Sequence, residues 1–479
     1  MTHEQLLALL PFMLLASASL VIILMIAARL SHFAIQVAGF LFLCMTVGAM
    51  WYVRDILPRE ILPLFIVDGF AALFTGVIIF SVGVVGLFSY IYFEEREENP
   101  KEYYILLFLA TLGAAILTIS RHFVSFFIGL EILSVSLYAL IAYLRNRNNA
   151  IEAGVKYLIL AALTSAFLLL GMALFYMDTG QLEFNAIGAK LSGSDAGVLY
   201  KMGIGLMVVA VGFKLALVPF HLWAADVYQG APSPVTSFIA TASKAGVFAV
   251  LMRFALATNL QGSPFLMHMF SGIAIASMIL GNILALRQQN MKRLLAYSSI
   301  AHFGYLIVAF LPGNTEGIQA SVFYLFAYSI TILSAFGIVT LLSTRMKDAE
   351  DLNLYRGLFW RKPVMAAVLA IALFSLAGIP LTAGFFAKFV VLMSGVHSDL
   401  WVPVVVLVLT SVIGLYYYLR IISTLFAQAP PHEVQPKSLH PFFYFATYAT
   451  LIVLMVLICV LGIYPGPAIE GIRQFLMIR

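Results

Sequence analysis

Four charged side chains interrupt long apolar runs of this sequence: Glu131, Lys214, Lys244 and Lys388. The residues around each are almost all apolar, so the charge lies where a membrane helix would want none. A charge at the bilayer centre costs roughly 2.5–3.5 kcal/mol even on the mildest scale. A buried lysine whose carboxylate partner approaches or withdraws can hold or release a proton. The four residues therefore indicate a shared role in proton transfer rather than a purely structural one.

Further titratable groups lie near these four charges. Glu152 and Lys156 are four residues apart at the start of one apolar run, hence on one helical face, and they suit either a relay or an interfacial pair that reaches water. The remaining relay candidates are His221, His302, Tyr297 and Tyr305. Histidine titrates near neutral pH without tuning, but either histidine can instead be a hydrogen-bonded structural residue.

Helix-breaking residues accompany two of the lysines. Pro219 follows Lys214 by five positions, while Gly378, Pro380 and Gly384 precede Lys388. Proline removes a backbone donor, and both residue types interrupt a membrane helix only where the freed backbone groups find polar partners. The seventh and twelfth apolar runs are therefore predicted to be broken helices, with the four residues marking the breaks.

Composition supplies the frame for these sites. The 479 residues are 62% hydrophobic and 10% charged, with a mean hydropathy of +1.01, whereas soluble domains carry about 25% charged residues. We expect an all-α polytopic membrane protein with about fourteen transmembrane helices of roughly 20 residues each and no soluble domain. The net charge of +5 follows from basic loops on one side of a membrane rather than from nucleic-acid binding.

Five spans separate the two predicted breaks, which indicates an internal repeat. One domain, residues 1–479, would hold two inverted five-helix repeats, near residues 103–257 and 265–427. Lysine and arginine are commoner in loops that follow odd-numbered spans, for example at Arg145, Arg147, Arg345, Lys347 and Lys437. This bias predicts that both termini lie on the outer face.

No motif for a bound cofactor is present. Cys44 and Cys459 lie in separate apolar runs without metal-ligand spacing, and no phosphate-binding loop, dinucleotide fingerprint or hydrolase motif occurs. We expect neither metal nor cofactor on this chain.

Three stretches resemble the subunit N family of respiratory complex I, the NADH–quinone oxidoreductase. They are GFKLALVPFHLWAADVYQGAPSPVTSFIATASK, NMKRLLAYSSIAHFGYL and YRGLFWRKPVMAAVLAIALFSLAGIPLTAGFFAKF. The resemblance implies an antiporter-like fold of fourteen helices, with two inverted five-helix repeats and broken seventh and twelfth helices. It also implies that Glu131 pairs with Lys214, and it matches family residues to Lys156, His221, Lys244 and Lys388.

The resemblance implies a proton-translocating subunit without redox chemistry of its own. NADH, FMN, iron–sulfur clusters and quinone would belong to partner subunits, and the chain would contact lipid, other antiporter-like subunits and small quinone-proximal subunits. A bacterial plasma membrane is favoured over a thylakoid membrane. Three features separate the chain from close paralogues: LWAADVYQGAP in place of W-L-P-D-A-H, Lys388 in place of glutamate, and an end soon after Tyr464. A stand-alone or Mrp-type monovalent cation/proton antiporter and a structural spacer stay as alternatives.

Overall fold

The computed structural model describes residues 2–94, 96, 100–191, 197–428 and 440–477. Nearly all of these residues are helical, which confirms the prediction of an all-α polytopic membrane protein. Lys437, which contributed to the predicted orientation, lies outside the described residues.

The helices, in chain order, are α1 (His3–Ala8), α2 (Leu10–Ala27), α3 (His32–Val53), α4 (Gly69–Glu94), α5 (Lys101–Ile119), α6 (Phe123–Ile141), α7 (Asn148–Thr179), α8 (Phe184–Leu191), α9 (Val198–Leu215), α10 (Leu222–Gly230), α11 (Ser233–Phe238), α12 (Lys244–Ala257), α13 (Pro264–Leu286), α14 (Met291–Phe310), α15 (Thr315–Leu342), α16 (Leu358–Arg361), α17 (Pro363–Ala377), α18 (Ala383–His397), α19 (Trp401–Phe426), α20 (Pro441–Ile463) and α21 (Gly466–Met477). A π-helical turn, Ile239–Ser243, joins α11 to α12.

Thirteen stretches of the described chain are long and apolar enough to cross a membrane. The shorter helices α17 and α18 together supply the broken twelfth span, which brings the number of spans to the predicted fourteen. Polar side chains cap several starts: Ser31 accepts from the third amide of α3, and Asn290 and Asn314 do the same for α14 and α15. Such caps satisfy amide groups that have no partner within the helix.

Both broken helices contain left-handed backbone at the break. α9 ends at Leu215, and Ala216 follows with φ +59°. α17 ends at Ala377, and Gly378 follows with φ +84°. The prediction that Gly384 marks the second break is wrong, because this residue lies inside α18. A Cβ there would lie 1.9 Å from the Ser375 carbonyl oxygen, so the glycine permits close packing of α18 against α17.

Loops after odd-numbered spans meet at one end of the bundle, which we call the basic end because Arg147, Lys292 and Arg345 lie there. Loops after even-numbered spans meet at the other end. It holds an antiparallel hairpin that sequence patterning did not predict, β1 (Arg59–Ile61) with β2 (Phe65–Val67), together with α8 and α21. We call it the hairpin end. Strands of three residues are too short to show a period of two.

The centre of the bundle is formed by the eighth, tenth and eleventh spans. All residues in the most apolar window of 233–257 are buried, as are nearly all in those of α14 and α15. Helices α2, α3, α7, α19 and α20 instead expose many large apolar side chains, as expected of surfaces that face lipid or partner subunits. Polar residues on the central helices therefore lie within protein. The division into two inverted repeats stays a prediction.

Candidate functional site

Lys214 lies in the last turn of α9, directly before the first break, and is 3% exposed. Its ammonium donates to Ser134 Oγ at 2.7 Å and to Tyr157 Oη at 3.1 Å. The ammonium nitrogen also lies 4.9 Å from the centre of the Tyr157 ring, within reach of a cation–π interaction. Neutral hydroxyls and an aromatic face therefore hold this charge.

Glu131 is half-buried on α6, one helical turn from Ser134. Its carboxylate accepts a hydrogen bond from Ser165 on α7. Within the described chain, no basic nitrogen lies within 4.0 Å of this carboxylate, so Glu131 and Lys214 form no direct ion pair. The Ser134 hydroxyl accepts a hydrogen bond from Lys214 and lies one helical turn from Glu131, so it is a polar group placed between the two charged side chains.

Lys244 begins α12 and is fully buried. Its ammonium donates to Ser299 Oγ at 2.7 Å, and the same oxygen accepts from Tyr328 Oη at 2.8 Å. The ammonium nitrogen lies 4.2 Å from the centre of the Phe303 ring. Lys244 thus resembles Lys214 in being held by a serine hydroxyl and an aromatic ring.

Tyr228, on α10, lies between these two lysine sites. It is fully buried and lies close to both Tyr157 and Ser299. Its hydroxyl makes no hydrogen bond of acceptable geometry with a described residue. A buried hydroxyl with free bonding capacity can donate to one neighbour and accept from another as protons move.

His302 lies in the protein interior on α14, three residues beyond Ser299. Nδ1 is 2.7 Å from Tyr324 Oη, and Nε2 is 3.2 Å from Tyr418 Oη. The centres of the His302 and Tyr328 rings are 5.5 Å apart. The His302 ring therefore follows Lys244, Ser299 and Tyr328 in a series of neighbouring polar groups. Each of its nitrogens lies within hydrogen-bond distance of a tyrosine hydroxyl.

Lys388 lies on α18, beyond the second break, and its ammonium reaches back to α17. It donates to the carbonyl oxygens of Leu376 and Ala377, each at 3.0 Å. These carbonyls belong to the last turn of α17, where the helix dipole places partial negative charge. The ammonium nitrogen also lies 5.2 Å from the centre of the Tyr305 ring.

A void of about 10 Å³ separates His302 from the Lys388 site. Its walls include His302, Tyr328, Thr331, Ser375 and Leu376. This volume is about what one water molecule requires, and the walls carry several polar groups. The void therefore lies between the His302 ring and Leu376, whose carbonyl oxygen accepts a hydrogen bond from Lys388.

Lys156 lies apart from the buried lysines and His302, at the basic end. Its ammonium contacts Glu152 at 2.7 Å and Asp226 at 2.9 Å, and its side chain is 45% exposed. Arg293 donates to the second oxygen of Asp226 at 2.7 Å. These groups line a polar cavity of about 240 Å³ that opens to the surface. The Glu152–Lys156 pair therefore lies at the surface of the bundle, and its part in a relay stays a prediction.

Two other relay candidates make fewer contacts. His221 is buried beside the start of α10, and its Nδ1 has no hydrogen-bond partner among the described residues. Tyr297 is only partly buried, and no hydrogen bond joins its hydroxyl to another residue in the described ranges. Tyr305, in contrast, accepts from Asn282 Nδ2 at 3.0 Å. Pro219 and Pro380 lie in the links between the helix halves.

A second buried charge cluster, which the sequence analysis missed, lies at the basic end. Asp348 accepts hydrogen bonds from Tyr92 Oη at 2.6 Å and Ser233 Oγ at 2.8 Å, and its carboxylate contacts Lys292 at 2.9 Å and Arg147 at 3.2 Å. Burial raises the pKa of its carboxyl, but the nearby basic charges and these hydrogen bonds lower it more, so the pKa lies well below its usual range.

Residues 120–414, more than half of the chain, match the family described as NADH:quinone oxidoreductase/Mrp antiporter, TM. The chain belongs to this family. A chain of respiratory complex I from Thermus thermophilus with bound aureothin is 32% identical, with a TM-score of 0.83 over 96% of this chain and 99% of that one. Membership in the antiporter family agrees with the resemblance drawn from the three sequence stretches.

Two further solved structures are similar to this chain. A chain of the membrane-bound sulfane sulfur reductase, an archaeal respiratory membrane complex, is 26% identical, with a TM-score of 0.86 over 98% of this chain and 96% of that one. A chain of the Mrp complex from Dietzia sp. DQ12-45-1b is 20% identical, with a TM-score of 0.87 over 99% of this chain and 97% of that one, which shows the shared fold alone. All three chains come from structures of complexes.

Proposed function

We propose that this chain is subunit N of a proton-translocating NADH–quinone oxidoreductase. One observation carries the proposal. Lys214, Lys244 and Lys388 are buried, and none has a described carboxylate oxygen within 4.0 Å. A membrane protein that keeps three such charges without acidic partners uses them, because each is costly in an apolar interior. The 32% sequence identity to a chain of complex I, over nearly the full length of both chains, supports the assignment to this complex.

The buried groups give each lysine a route to the next. Lys214 would pass its proton by Tyr157 and Tyr228 toward Ser299 and Lys244. Each transfer leaves a neutral amine on the donor and an ammonium on the acceptor, while the hydroxyls between them give up one proton and take another. Glu131 would favour the charged form of Lys214 when the two approach each other.

The second half of the route would run through His302. A proton on Lys244 would move by Ser299 and Tyr328 toward the His302 ring, whose centre lies 5.5 Å from that of Tyr328. The void beside Leu376 would lead on to Lys388. Imidazole can accept at one nitrogen and release at the other, which suits a ring with a hydroxyl on each side.

The reaction that supplies the energy would occur in partner subunits. NADH, FMN, iron–sulfur clusters and quinone would bind there, and this chain would hold none of them. Its apolar outer helices would contact lipid, other antiporter-like subunits and small quinone-proximal subunits. The basic end would face the cytoplasm and the hairpin end the outside of a bacterial plasma membrane, so that both termini lie outside.

An Mrp-type monovalent cation/proton antiporter is the second candidate, because the matched family includes such proteins. Purification from native membranes distinguishes the two. A stable complex with flavin and iron–sulfur subunits is expected for the first function, and a complex of antiporter subunits alone is expected for the second.

Substitution of Lys214 tests the proton route itself. Lys214→Ala is expected to suppress proton uptake per NADH oxidised in sealed vesicles while the complex still assembles, because Glu131 makes no direct ion pair with Lys214 and keeps its hydrogen bond from Ser165. Lys214→Arg is expected to impair uptake too, because a guanidinium essentially never releases its proton. Lys347→Ala, at an exposed loop of the basic end, is the matched control. Full proton stoichiometry in the arginine variant would exclude deprotonation of Lys214 as a required step.

A further inference from the structure

A basic surface surrounds the short helix α16 at the basic end, and the proton route uses none of its residues. Three stretches of chain meet there: residues 284–290 at the end of α13, residues 352–366 around α16, and residues 415–427 at the end of α19. Together they carry five basic side chains and no acidic one. The five are Arg287, Arg356, Arg361, Lys362 and Arg420, which we call the α16 surface.

Hydrogen bonds to backbone carbonyls hold the three stretches together. The indole of Trp360 donates to the carbonyl oxygen of Phe426 at 3.1 Å, which ties α16 to the end of α19. The guanidinium of Arg420 donates to the carbonyl oxygens of Leu286 and Gln288, at 3.1 and 2.7 Å, which ties α19 to the end of α13. The basic residues therefore belong to one continuous surface and not to separate loops.

The charges of the α16 surface are not balanced within the protein. No carboxylate oxygen of a described residue lies within 4.0 Å of their basic nitrogens. Asp351, the acidic residue next to these stretches in the chain, accepts hydrogen bonds from Asn353. Elsewhere at the basic end, in contrast, Lys156, Lys292 and Arg293 each contact a carboxylate. The α16 surface therefore presents positive charge to an anion from outside the chain.

Two of these charges lie where a helix disfavours them. Arg361 and Lys362 directly precede Pro363, the first residue of α17. The dipole of a helix is positive at its N-terminus, so a cation there is repelled and an anion is attracted. An anion bound beside Arg361 and Lys362 would offset this repulsion.

Large exposed apolar side chains border the α16 surface. Trp360 is 67% exposed, and Leu354 and Val364 on either side of it in the chain are exposed as well. α19 extends this apolar surface along one helical face. The exposed residues on that face are Val412, Tyr416, Leu419 and Phe426, which we call the α19 stripe. Tryptophan is enriched where a membrane meets water, and a basic patch above an apolar stripe matches a molecule with an anionic head and apolar chains.

We propose that the α16 surface binds the headgroup of an anionic phospholipid from the leaflet at the basic end, with its acyl chains along the α19 stripe. Arg361 Nη2 donates to the carbonyl oxygens of Leu354 and Arg356, which fixes the guanidinium, while Nη1 makes no hydrogen bond with a described residue. This nitrogen and the Lys362 ammonium donate to the phosphate oxygens of the lipid. The proposal does not rest on the proposed function.

Fluorescence quenching by brominated lipids tests the site. The full chain is reconstituted in nanodiscs with equal mole fractions of phosphatidylglycerol and phosphatidylcholine, and the acyl chains of one lipid or the other carry bromine. Three of the four tryptophans are exposed, so the signal of Trp360 is taken as the difference between the native chain and Trp360→Phe. The anionic lipid is expected to quench Trp360 at least about threefold more than the zwitterionic lipid, because several basic residues lie beside it.

Trp401 is the matched control at the hairpin end. It is 54% exposed, and the charged residue nearest to it in the chain is the acidic Asp399. The signal taken from Trp401→Phe is expected to show no preference for the anionic lipid. Equal quenching of Trp360 by both lipids, or an equal preference at Trp401, would overturn the site.

Charge variants test which residues hold the headgroup. The double variant Arg361→Gln and Lys362→Gln is expected to abolish most of the preference at Trp360, whereas Arg361→Lys with Lys362→Arg retains it because the charges remain. Lys347→Gln, at an exposed position of the same end, is the control and leaves the preference unchanged. A preference that survives the two glutamines would overturn the role of these residues.

Two further arms identify the occupant. Soluble glycerol phosphate in the same nanodiscs is expected to leave the preference intact, because it cannot use the α19 stripe; full competition would show a site for soluble anions and overturn the lipid. In the complete complex, the photoreactive residue benzoylphenylalanine replaces Trp360. Adducts with phosphatidylglycerol in the mass spectrum are expected after illumination, whereas crosslinks to a neighbouring subunit without lipid adducts would overturn lipid binding at this surface.

Discussion

Replacing Asp348 by Asn is expected to destabilise the basic end of the bundle. The change removes the single carboxylate that Lys292, Arg147 and Arg96 share, and it leaves the ammonium of Lys292 buried at 0% exposure. Breaking a buried ion pair on one side costs about 3–5 kcal/mol. Lys292 keeps the carbonyl oxygens of residues 229 and 231 as acceptors, at 3.0 and 2.6 Å, so the low end of that range applies.

A loss of about 3 kcal/mol is measurable in a chain of this size. It corresponds to roughly a hundredfold change in the equilibrium between folded and unfolded chain. With an unfolding entropy of about 2.1 cal/mol/K per residue, the midpoint temperature is expected to fall by about 3 °C. The assay is thermal unfolding of the detergent-solubilised chain. Asp351→Asn, in the same loop but exposed, is the control and is expected to change the midpoint little.

A double variant separates charge burial from other effects. Adding Lys292→Met to Asp348→Asn removes the unpaired ammonium, and most of the lost stability is expected to return. A double variant no more stable than Asp348→Asn alone would refute the reasoning, as would a single variant no worse than the Asp351→Asn control.

The pH dependence of this cluster has a definite sign. Because the folded chain lowers the pKa of the Asp348 carboxyl, its contribution to stability is fully present above the unfolded value of about 3.9. That contribution is lost only as the pH falls through the lower pKa of the folded chain. Between pH 5 and 8, the stability difference between native chain and Asp348→Asn is therefore expected to stay constant; a difference that shrinks toward pH 5 would contradict this assignment.

Two further substitutions test the relay and the packing. Tyr418→Phe removes the hydroxyl on Nε2 of His302 and is expected to slow proton uptake in vesicles by about 2–10-fold, the worth of one hydrogen bond, whereas the exposed Tyr416→Phe has no effect. Gly113→Val places a side chain 2.5 Å from a backbone nitrogen of α6 and is expected to destabilise the chain by about 1–3 kcal/mol, while Gly76→Val, where no atom lies within 4 Å, does not. Equal midpoint temperatures for the two glycine variants would contradict the second expectation.

The sequence predicted the spans because each is a long apolar run, and the breaks because proline or glycine lies at each. The left-handed backbone of Ala216 at the first break has no such sequence signal. Lys214 and Lys388 stand out in sequence because a charge in an apolar run of a membrane protein is costly. The residues that form hydrogen bonds with Lys214 do not stand out in the sequence. Ser134 and Tyr157 are ordinary residues of membrane helices, and only tertiary packing turns them toward a lysine.

The Asp348 cluster was missed for a related reason. Asp348 lies in a charged loop, where sequence reasoning expects solvent rather than 3% exposure. Its partners come from four separate helices or loops, and Tyr92 is 256 positions away from Asp348 in the sequence. No pattern along the chain reports such a distance. Gly384 shows the converse error, because a glycine required for close helix packing looks the same in sequence as one that ends a helix.

The contrast between Lys292 and Lys388 has a consequence for how each can behave. Lys292 faces a carboxylate, so loss of its proton would leave a buried negative charge with one partner fewer. Lys388 has no carboxylate oxygen of a described residue within 4.0 Å, and it donates hydrogen bonds to the carbonyl oxygens of Leu376 and Ala377. Because these carbonyl oxygens are uncharged, Lys388 can lose and regain its proton without leaving an opposite charge unpaired. The neutral amine can still donate a hydrogen bond to each oxygen. In the proposed route, Lys388 would therefore exchange its proton, whereas Lys292 would keep its charge and hold Asp348 in place.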